Sequence, residues 1–126
     1  MSPPSSGGIA IAQAFGILEN FELKDHGPTQ AENEGGVPSV MGVHLVSEAE
    51  RLAYADRDKY VADTDFVPLP GKGVSSMLDK NYLKSRANLI SKDKSMGVAT
   101  AGTFDTVASA RGIDTTVEHG TTHFSI

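Results

Sequence analysis

The stretch PSVMGVHLVSEAERLAYADRDKYV, residues 38–61, is the longest regular pattern in the sequence and decides its fold class. Apolar and small residues recur in it every three or four positions, which is the period of a helix with one buried face. Pro38 or Ser39 suits the start of such a helix. The pattern therefore predicts a long helix. The residues expected on its buried side are Leu45, Ala49, Leu52, Ala53, Asp56 and Tyr60.

Charged residues on this helix indicate ion pairs along it. Glu48 precedes Arg51 by three positions, and Asp56 precedes Lys59 by three, a spacing that brings opposite charges together on a helix. The run DRD, residues 56–58, would ordinarily be a solvated helix face. If it is buried instead, we expect an ion-pair network that fixes the end of the helix.

A second helix is predicted upstream, over IAIAQAFGILENF, residues 9–21. Gly16 lies inside it at a cost of about 1 kcal/mol relative to alanine, which indicates close approach by a neighbour. Before it, Pro3 and Pro4 in MSPPSSGG, residues 1–8, force extended backbone, so we expect an extended segment at the start. The apolar stripe of this helix is Ile11, Phe15, Leu18 and Phe21.

A third, shorter helix is predicted after Asp79, which suits its N-cap position. Its expected apolar face is Tyr82, Leu83, Leu89 and Ile90. Residues 91–120 are weakly patterned, and because so long a loop is unusual in a compact domain we expect partial disorder over about 91–118. The final TTHFSI, residues 121–126, alternates like a β-strand. Its two faces are Thr122, Phe124 and Ile126, and Thr121, His123 and Ser125.

The composition sets limits on the function. A length of 126 residues suits one domain, and 39% apolar residues without tryptophan predict a thin core. A net charge of −5 argues against nucleic acid as a partner, since that role needs clustered lysine and arginine. The absence of cysteine excludes disulfides and thiol chemistry. No apolar run is long enough for a transmembrane helix, and residues 1–8 lack the pattern of a signal peptide.

The pair Gly120-Thr121 is the candidate for nucleophilic catalysis. Threonine is a poor nucleophile unless it is activated, and at a chain N-terminus its own α-amine, with a pKa of about 8, serves as the base. Such a threonine must first be freed from an internal peptide bond. A small preceding residue helps, because the hydroxyl must attack the preceding carbonyl in a tight turn. Glycine followed by threonine is also ordinary at the start of a strand, so the residues alone leave both interpretations open.

The other candidate sites match known binding patterns only weakly. His119 and His123 would lie about 13 Å apart along an extended chain, and no carboxylate pattern joins them into a metal site. His44 is expected to be a hydrogen-bonded packing residue. The sequence DTD, residues 63–65, is an incomplete calcium loop. PPSSGGIA, residues 3–10, lacks the lysine of a phosphate-binding loop. We therefore expect no metal and no cofactor.

Five stretches in order resemble the γ-glutamyltranspeptidase family. They are MSPPSSGGI (1–9), ILENF (17–21), HLVSEAERLAYADRDKYVADTDF (44–66), LDKNYLKSRANLI (78–90) and TTHFS (121–125). The sequence departs from the family pattern at three positions, where serine replaces a proline, threonine replaces a proline and aspartate replaces a serine. These departures are Ser2, Thr64 and Asp79.

The resemblance implies a fold and a division of the chain. Members are N-terminal-nucleophile hydrolases with a four-layer αββα sandwich, made as one inactive precursor that cuts itself. This chain would be an α+β, mostly α-helical fragment, extended at its start and with one strand at its end. Residues 1–120 would be the C-terminal part of the large subunit, and residues 121–126 the first residues of the small subunit. The autocleavage junction would be Gly120–Thr121.

The resemblance also implies an activity. Thr121 would be the catalytic nucleophile that attacks the γ-glutamyl amide of glutathione or a related compound, and water or an amino acid would accept the γ-glutamyl group. Thr122 and His123 would have supporting roles at most. In the family, the substrate-binding arginine and the oxyanion-hole residues fall outside the five stretches, so the fragment alone should be inactive. VSSM, residues 74–77, mimics the family's Ser-Ser motif but precedes the nucleophile, so it takes no role.

Alternatives remain at this level. One is a related acylase of the same fold, of the cephalosporin acylase type, because these motifs do not specify the substrate. Another is a non-catalytic helical interaction module. The expected partners are the remainder of both subunits, and the family resemblance suggests a periplasmic or extracellular location.

Overall fold

The computed structural model describes residues 6–32 and 34–104. Within them the chain is mostly helical, as predicted, and forms no strand ladder but one isolated antiparallel bridge between Thr29 and Val37. The predicted strand over 121–126 lies outside the described residues. The helices are α1 (Ser6–Leu18), a 3₁₀ helix (Leu23–His26), α2 (Val40–Tyr60), α3 (Val74–Met77) and α4 (Lys80–Ala87).

Helix α2 is the longest of the described helices and follows the sequence prediction closely. Ser39 is its N-cap, and its hydroxyl accepts a hydrogen bond from Gly42 N at 3.1 Å. The helix ends at Tyr60, with Val61 as the C-cap. All six residues predicted on its inner side are buried. The prediction succeeds because a 21-residue helix repeats its 3.6-residue period often enough to fix which side faces the core.

Helix α1 departs from the prediction in two ways. It begins at Ser6, three residues before the predicted start at Ile9, and the extended segment expected at Pro3 and Pro4 lies outside the described residues. Its buried face is also rotated, because Ile11 is 53% and Phe15 65% exposed. They line an apolar groove of about 290 Å³ between α1 and α2. The inner face is instead Ile9, Ala10, Gln13, Ile17 and Leu18.

The composition of α1 explains this rotation. Apolar residues surround the helix on nearly all sides, so its pattern does not choose one face. Two features of the tertiary structure accompany this orientation. Ala10 is buried in the core, and Gln13 donates a buried hydrogen bond to Asp56 at 3.1 Å. A glutamine needs such a partner to be buried, which the apolar stripe alone does not supply.

Helix α4 completes the core. Its N-cap is Asp79, as predicted, whose carboxylate accepts hydrogen bonds from the main chain of Asn81 and Tyr82 at 2.9 and 3.0 Å. Leu83 is buried as expected, whereas Leu89 is 55% exposed. The prediction for Leu89 was wrong because the helix ends at Ala87, so helical periodicity no longer applies there.

Replacing Gly16 with alanine is expected to destabilise the protein. A Cβ there would overlap Leu83 Cδ1 of α4, so the close approach predicted for this glycine is confirmed. Overpacking typically costs about 1–3 kcal/mol, so after a gain in helix propensity of about 1 kcal/mol we expect a net loss of up to about 2 kcal/mol. Urea denaturation followed by circular dichroism measures the change. In a Leu83→Ala background the same substitution should become neutral or stabilising; an equal loss in both backgrounds would contradict the steric explanation.

Candidate functional site

The residues predicted to carry the chemistry, Gly120, Thr121, Thr122 and His123, lie outside the described residues. The structure does describe residues 91–104, which precede them in the sequence. Residues 91–104 have no helix or strand, yet they run along two buried carboxylates on α2. These carboxylates belong to Glu48 and Asp56, and each is about 1% exposed.

Glu48 is the centre of the first polar cluster. Its Oε1 accepts a hydrogen bond from Ser95 Oγ at 2.7 Å, and its Oε2 accepts one from Met96 N at 2.8 Å. Arg51 Nε lies 3.3 Å from Glu48 Oε1, which confirms the predicted pair. Arg51 also donates to Gly97 O at 2.7 Å. The cluster ties three consecutive residues of the loop to α2.

This environment lowers the pKa of Glu48. Burial acts to raise it, but the hydrogen bonds from Ser95 and Met96 favour the ionised form, and the electrostatic influence of His44 and Arg51 acts in the same direction. The balance lies below the ordinary value of 4.5. Glu48 is therefore a charged acceptor at neutral pH.

Replacing Glu48 with glutamine is expected to reduce stability at neutral pH. A carboxyl with a depressed pKa in the folded state contributes stability above its unfolded pKa and loses that contribution as the pH falls through the folded value. The difference in unfolding free energy between wild type and Glu48→Gln should therefore be largest near pH 7 and shrink below about pH 4.5. Denaturation at a series of pH values measures it. A difference that stays constant down to pH 3 would contradict this account.

Asp56 is the centre of a second polar cluster, which joins α1, α2, α4 and the loop. Four hydrogen-bond donors converge on its carboxylate. Oδ2 accepts from Gln13 Nε2 at 3.1 Å and from Tyr82 Oη at 2.5 Å. Oδ1 accepts from Gly102 N at 2.8 Å and from Arg86 Nη2 at 3.3 Å. The carboxylate is thus fully surrounded by donors, as a buried charge must be.

The partner of Asp56 corrects the sequence prediction. We expected Lys59 three residues later, but Asp56 faces the core and its ion-pair partner is Arg86, 4% exposed, from α4. Arg57 points the other way, toward Asp58 at 2.9 Å on the surface. The DRD run is therefore divided, with one carboxylate buried and the other solvated. For a buried DRD run we expected an ion-pair network that fixes the end of the helix, and Asp56 forms such a network.

Tyr82 is held as a hydrogen-bond donor in this cluster. Burial, followed by its hydrogen bond to Asp56 and the charge of that carboxylate, raises the pKa of the Tyr82 hydroxyl far above its usual value. The hydroxyl therefore keeps its proton throughout the physiological range. Its ring lies 4.6 Å from that of Phe104, measured between centroids.

Residues 100–104, the exit segment, are the last described part of the chain. They were expected to belong to a partly disordered stretch, but for the described part of that stretch the expectation was wrong. Arg86 Nη2 donates to Thr100 O at 2.6 Å, and Tyr60 Oη donates to Gly102 O at 2.6 Å. These contacts supply the order that the weak sequence pattern did not predict, because polar side chains from distant helices hold the backbone directly.

The cluster contains residues that the sequence analysis missed. Gln13, Arg86 and Gly102 were not singled out, since each lies 30 or more residues from Asp56 in sequence. One signal was present: an aspartate on the predicted buried side of a helix requires partners. The sequence did not indicate which partners they would be.

The remaining candidates have structural roles in the described part of the chain. His44 Nε2 lies 2.7 Å from Ser91 O, as expected of a packing residue. Asp63 Oδ1 accepts a hydrogen bond from Asp65 N at 3.0 Å and thereby caps a turn. Among the described residues no three histidine or acidic side chains are grouped to hold a metal. No described helix has the length and apolarity to cross a membrane.

Comparison with known proteins places this geometry in a family of enzymes. The crystal structure of Helicobacter pylori gamma-Glutamyltranspeptidase superposes with a TM-score of 0.59 and 36% sequence identity, covering 77% of this chain and 24% of that one. The family Gamma-glutamyltranspeptidase matches residues 1–126. The chain belongs to the gamma-glutamyltranspeptidase family, as its motifs predicted.

Two curated relatives that resemble this chain carry different names. The "Glutathione hydrolase proenzyme" of Escherichia coli (strain K12) is 42% identical over 94 residues, which is 75% of this chain and 14% of the relative. The "Acylase ACY 1 proenzyme" of Pseudomonas sp. (strain V22) is 36% identical over 118 residues, which is 87% of this chain and 19% of the relative. The chain thus spans less than one fifth of the length of either relative.

Proposed function

We propose that this chain is the junction region of a γ-glutamyltranspeptidase precursor, with residues 1–120 ending the large subunit and residues 121–126 beginning the small one. The precursor cuts itself at Gly120–Thr121. The mature enzyme then hydrolyses glutathione and related γ-glutamyl amides or transfers their γ-glutamyl group. The observation that carries the proposal is the family match across residues 1–126, which includes the Gly120-Thr121 pair.

Self-cleavage follows from the chemistry of this pair. Thr121 Oγ attacks the carbonyl carbon of Gly120, the peptide C–N bond breaks, and the hydroxyl proton passes to the freed amine. Water then hydrolyses the resulting ester, which leaves a carboxylate on Gly120 and an α-amine on Thr121. That amine is the base that activates the Thr121 hydroxyl for catalysis. The word "proenzyme" in the names of the relatives supports a precursor that is processed.

In the mature enzyme Thr121 is the nucleophile of a two-step transfer. Its hydroxyl displaces the amine of the γ-glutamyl amide and forms a γ-glutamyl ester. Water or an amino acid then attacks the ester and releases the threonine. Thr122 and His123 lie beside the nucleophile in sequence and have supporting roles at most. The terminal strand would join the sheets of an αββα sandwich, and the helices of the described residues would belong to the same sandwich.

A matched pair of substrates tests the proposed activity. We expect the full precursor, after cleavage, to release p-nitroaniline from γ-glutamyl-p-nitroanilide much faster than from glutaryl-p-nitroanilide, which lacks only the α-amino group. Glutathione should be hydrolysed as well. Faster release from the glutaryl compound would favour a related acylase, the alternative that the 36% identity to the acylase supports. Release from neither compound, with no cleavage, would favour a non-catalytic helical module.

The 126-residue chain alone is expected to be inactive toward γ-glutamyl-p-nitroanilide. The residues that hold the substrate and the oxyanion in this family are not matched in it, and loss of a single oxyanion donor costs about 10²–10³ in rate. The rate of the purified chain should equal that of a Thr121→Ala control at the same concentration. Turnover above that control would contradict the assignment of those groups to other parts of the protein.

A further inference from the structure

The groove between α1 and α2 presents large apolar side chains to solvent. Ile11 and Phe15 line it from α1, and Val46 and Tyr54 line it from α2. The exposed fractions of these four residues lie between 41% and 65%. Among the described residues that line the groove, only Glu50 is charged. The groove is therefore a surface for apolar side chains rather than for an ion or a polar ligand.

A second groove extends this apolar surface along α2. It has a volume of about 480 Å³, lies between α2 and the segment before it, and shares Val46 with the first groove. Leu23 and Val43, which are 40% and 53% exposed, also line it. Extended apolar patches are rare on the surface of a folded protein and mark sites of interaction. We call this patch the outer face, and its large apolar residues are Ile11, Phe15, Leu23, Val43, Val46 and Tyr54.

Helix α1 has the composition of a helix that is covered on every side. None of its 13 residues is charged, and the polar side chain in its middle, Gln13, faces inward to Asp56. A helix that is apolar all round belongs to the interior of a large protein, whereas a surface helix is polar on its outer side. The composition of α1 thus indicates a further layer of protein over Ile11 and Phe15.

The lengths of the relatives indicate where that layer comes from. This chain covers 24% of the solved relative and less than one fifth of either curated relative. Most of such a protein therefore lies outside the region that this chain matches. A second copy of the chain is a poorer candidate, because a subunit that folded with so apolar a face uncovered would be prone to aggregate.

We propose that the outer face packs, in the full precursor, against an apolar element from the part of the polypeptide outside residues 1–126. The inference rests on one part of the proposed function, namely that this chain is a piece of a longer precursor. Small residues, among them Ala14 and Ala53, line the first groove between the larger ones. Apolar side chains of the covering element therefore have room to insert between α1 and α2, as side chains do between packed elements.

Photo-crosslinking of the full precursor tests the proposal. Phe15 is replaced by p-benzoyl-phenylalanine, an analogue that bonds to neighbouring C–H groups under near-ultraviolet light, and mass spectrometry of the digested protein identifies the bonded peptide. We expect a bond within one polypeptide, from position 15 to a residue outside 1–126. Tyr54 serves as a second position if the Phe15 replacement does not fold. The control position is Val98, which is 88% exposed and lines neither groove, and the analogue there should give little bonded product.

Each of the other crosslinking results would contradict the proposal. A bond from position 15 to residues 1–5 or 105–126 would mean that this chain covers its own outer face. A crosslinked product of twice the precursor mass would identify a second copy as the occupant. A yield no greater than that at position 98 would show that the outer face is open to solvent.

A charged substitution at the same position measures how strongly the precursor depends on this packing. We expect Phe15→Asp to lower the midpoint of thermal unfolding of the full precursor by several degrees, because it places an unpaired carboxylate under the covering element. Val98→Asp introduces the same charge at an exposed position and should leave the midpoint nearly unchanged. Phenylalanine and aspartate have similar helix propensities, so α1 itself is little affected. A midpoint for Phe15→Asp equal to that of wild type would contradict the proposal.

The outer-face proposal and the proposed function can fail separately. If position 15 bonds outside residues 1–126 in a precursor that neither splits at Gly120–Thr121 nor releases γ-glutamyl groups, the outer-face proposal stands and the proposed function is overturned. If the precursor splits and is active but position 15 gives no such bond, the proposed function stands and the outer-face proposal is overturned.

Discussion

A precursor carrying Thr121→Ala is expected to remain a single uncut chain. Alanine lacks the hydroxyl that attacks Gly120, so the loss of cleavage should be complete over the period in which wild type splits fully. The activity on γ-glutamyl-p-nitroanilide should vanish with it, since the same hydroxyl is the proposed nucleophile. Mass spectrometry of the intact protein measures the first effect, and a colorimetric assay measures the second.

The neighbouring threonine supplies the control for this experiment. Thr122→Ala removes a hydroxyl one position later and should leave the cleavage site unchanged, with the N-terminal sequence of the smaller product beginning at Thr121. Cleavage of the Thr121→Ala precursor at the same bond would contradict the mechanism. Cleavage of wild type one residue later, before Thr122, would move the nucleophile to that residue.

Replacing Asp56 with alanine is expected to destabilise the protein strongly, and more than Gly16→Ala or Glu48→Gln does. The change leaves Arg86 buried without its carboxylate, leaves Tyr82 and Gly102 without an acceptor, and leaves Gln13 with only its bond to Met77 O. Breaking a buried ion pair by removing one partner costs about 3–5 kcal/mol. Because small domains are stable by about 5–15 kcal/mol, this loss is a large fraction of the total. Urea denaturation followed by circular dichroism measures it.

Asp58 provides the comparison for this effect. It lies on the same helix and pairs with Arg57 at 2.9 Å, but its side chain is 67% exposed. Exposed pairs of this kind contribute about 0–1 kcal/mol, so Asp58→Ala should change stability little. A double variant, Asp56→Ala with Arg86→Met, should recover part of the loss, because it removes the unpaired charge. Equal losses in Asp56→Ala and Asp58→Ala would show that the buried cluster contributes no more than a surface pair.

The three helices differ in how far their sequence patterns define their buried faces. In α2, many repeats of the helical period identified the inner face and both ends of the helix. In α1, apolar residues on nearly all sides left the face undecided, and Ile11 and Phe15 were assigned to the wrong side. Beyond α4, Leu89 was misplaced because the helix had already ended. The errors in α1 and at Leu89 arose where local periodicity was either ambiguous or absent.

The sequence by itself determined the features that depend on neighbours within one helical turn. These include the N-caps Ser39 and Asp79, the Glu48–Arg51 pair and the inner face of α2, because the groups involved lie three or four positions apart. The family also came from the sequence, through its ordered motifs. Only the tertiary structure decided that Asp56 pairs with Arg86, because a contact between distant helices depends on how they pack and no local period records it.

The order of the exit segment also depends on the tertiary structure. Nothing in residues 100–104 predicts a fixed path, and their main chain has no helix or strand to satisfy it. Buried backbone groups must nevertheless find partners, and in this segment the side chains of Asp56, Tyr60 and Arg86 provide them. Because these partners come from α2 and α4, the backbone path of residues 100–104 depends on how the two helices are arranged in the folded chain.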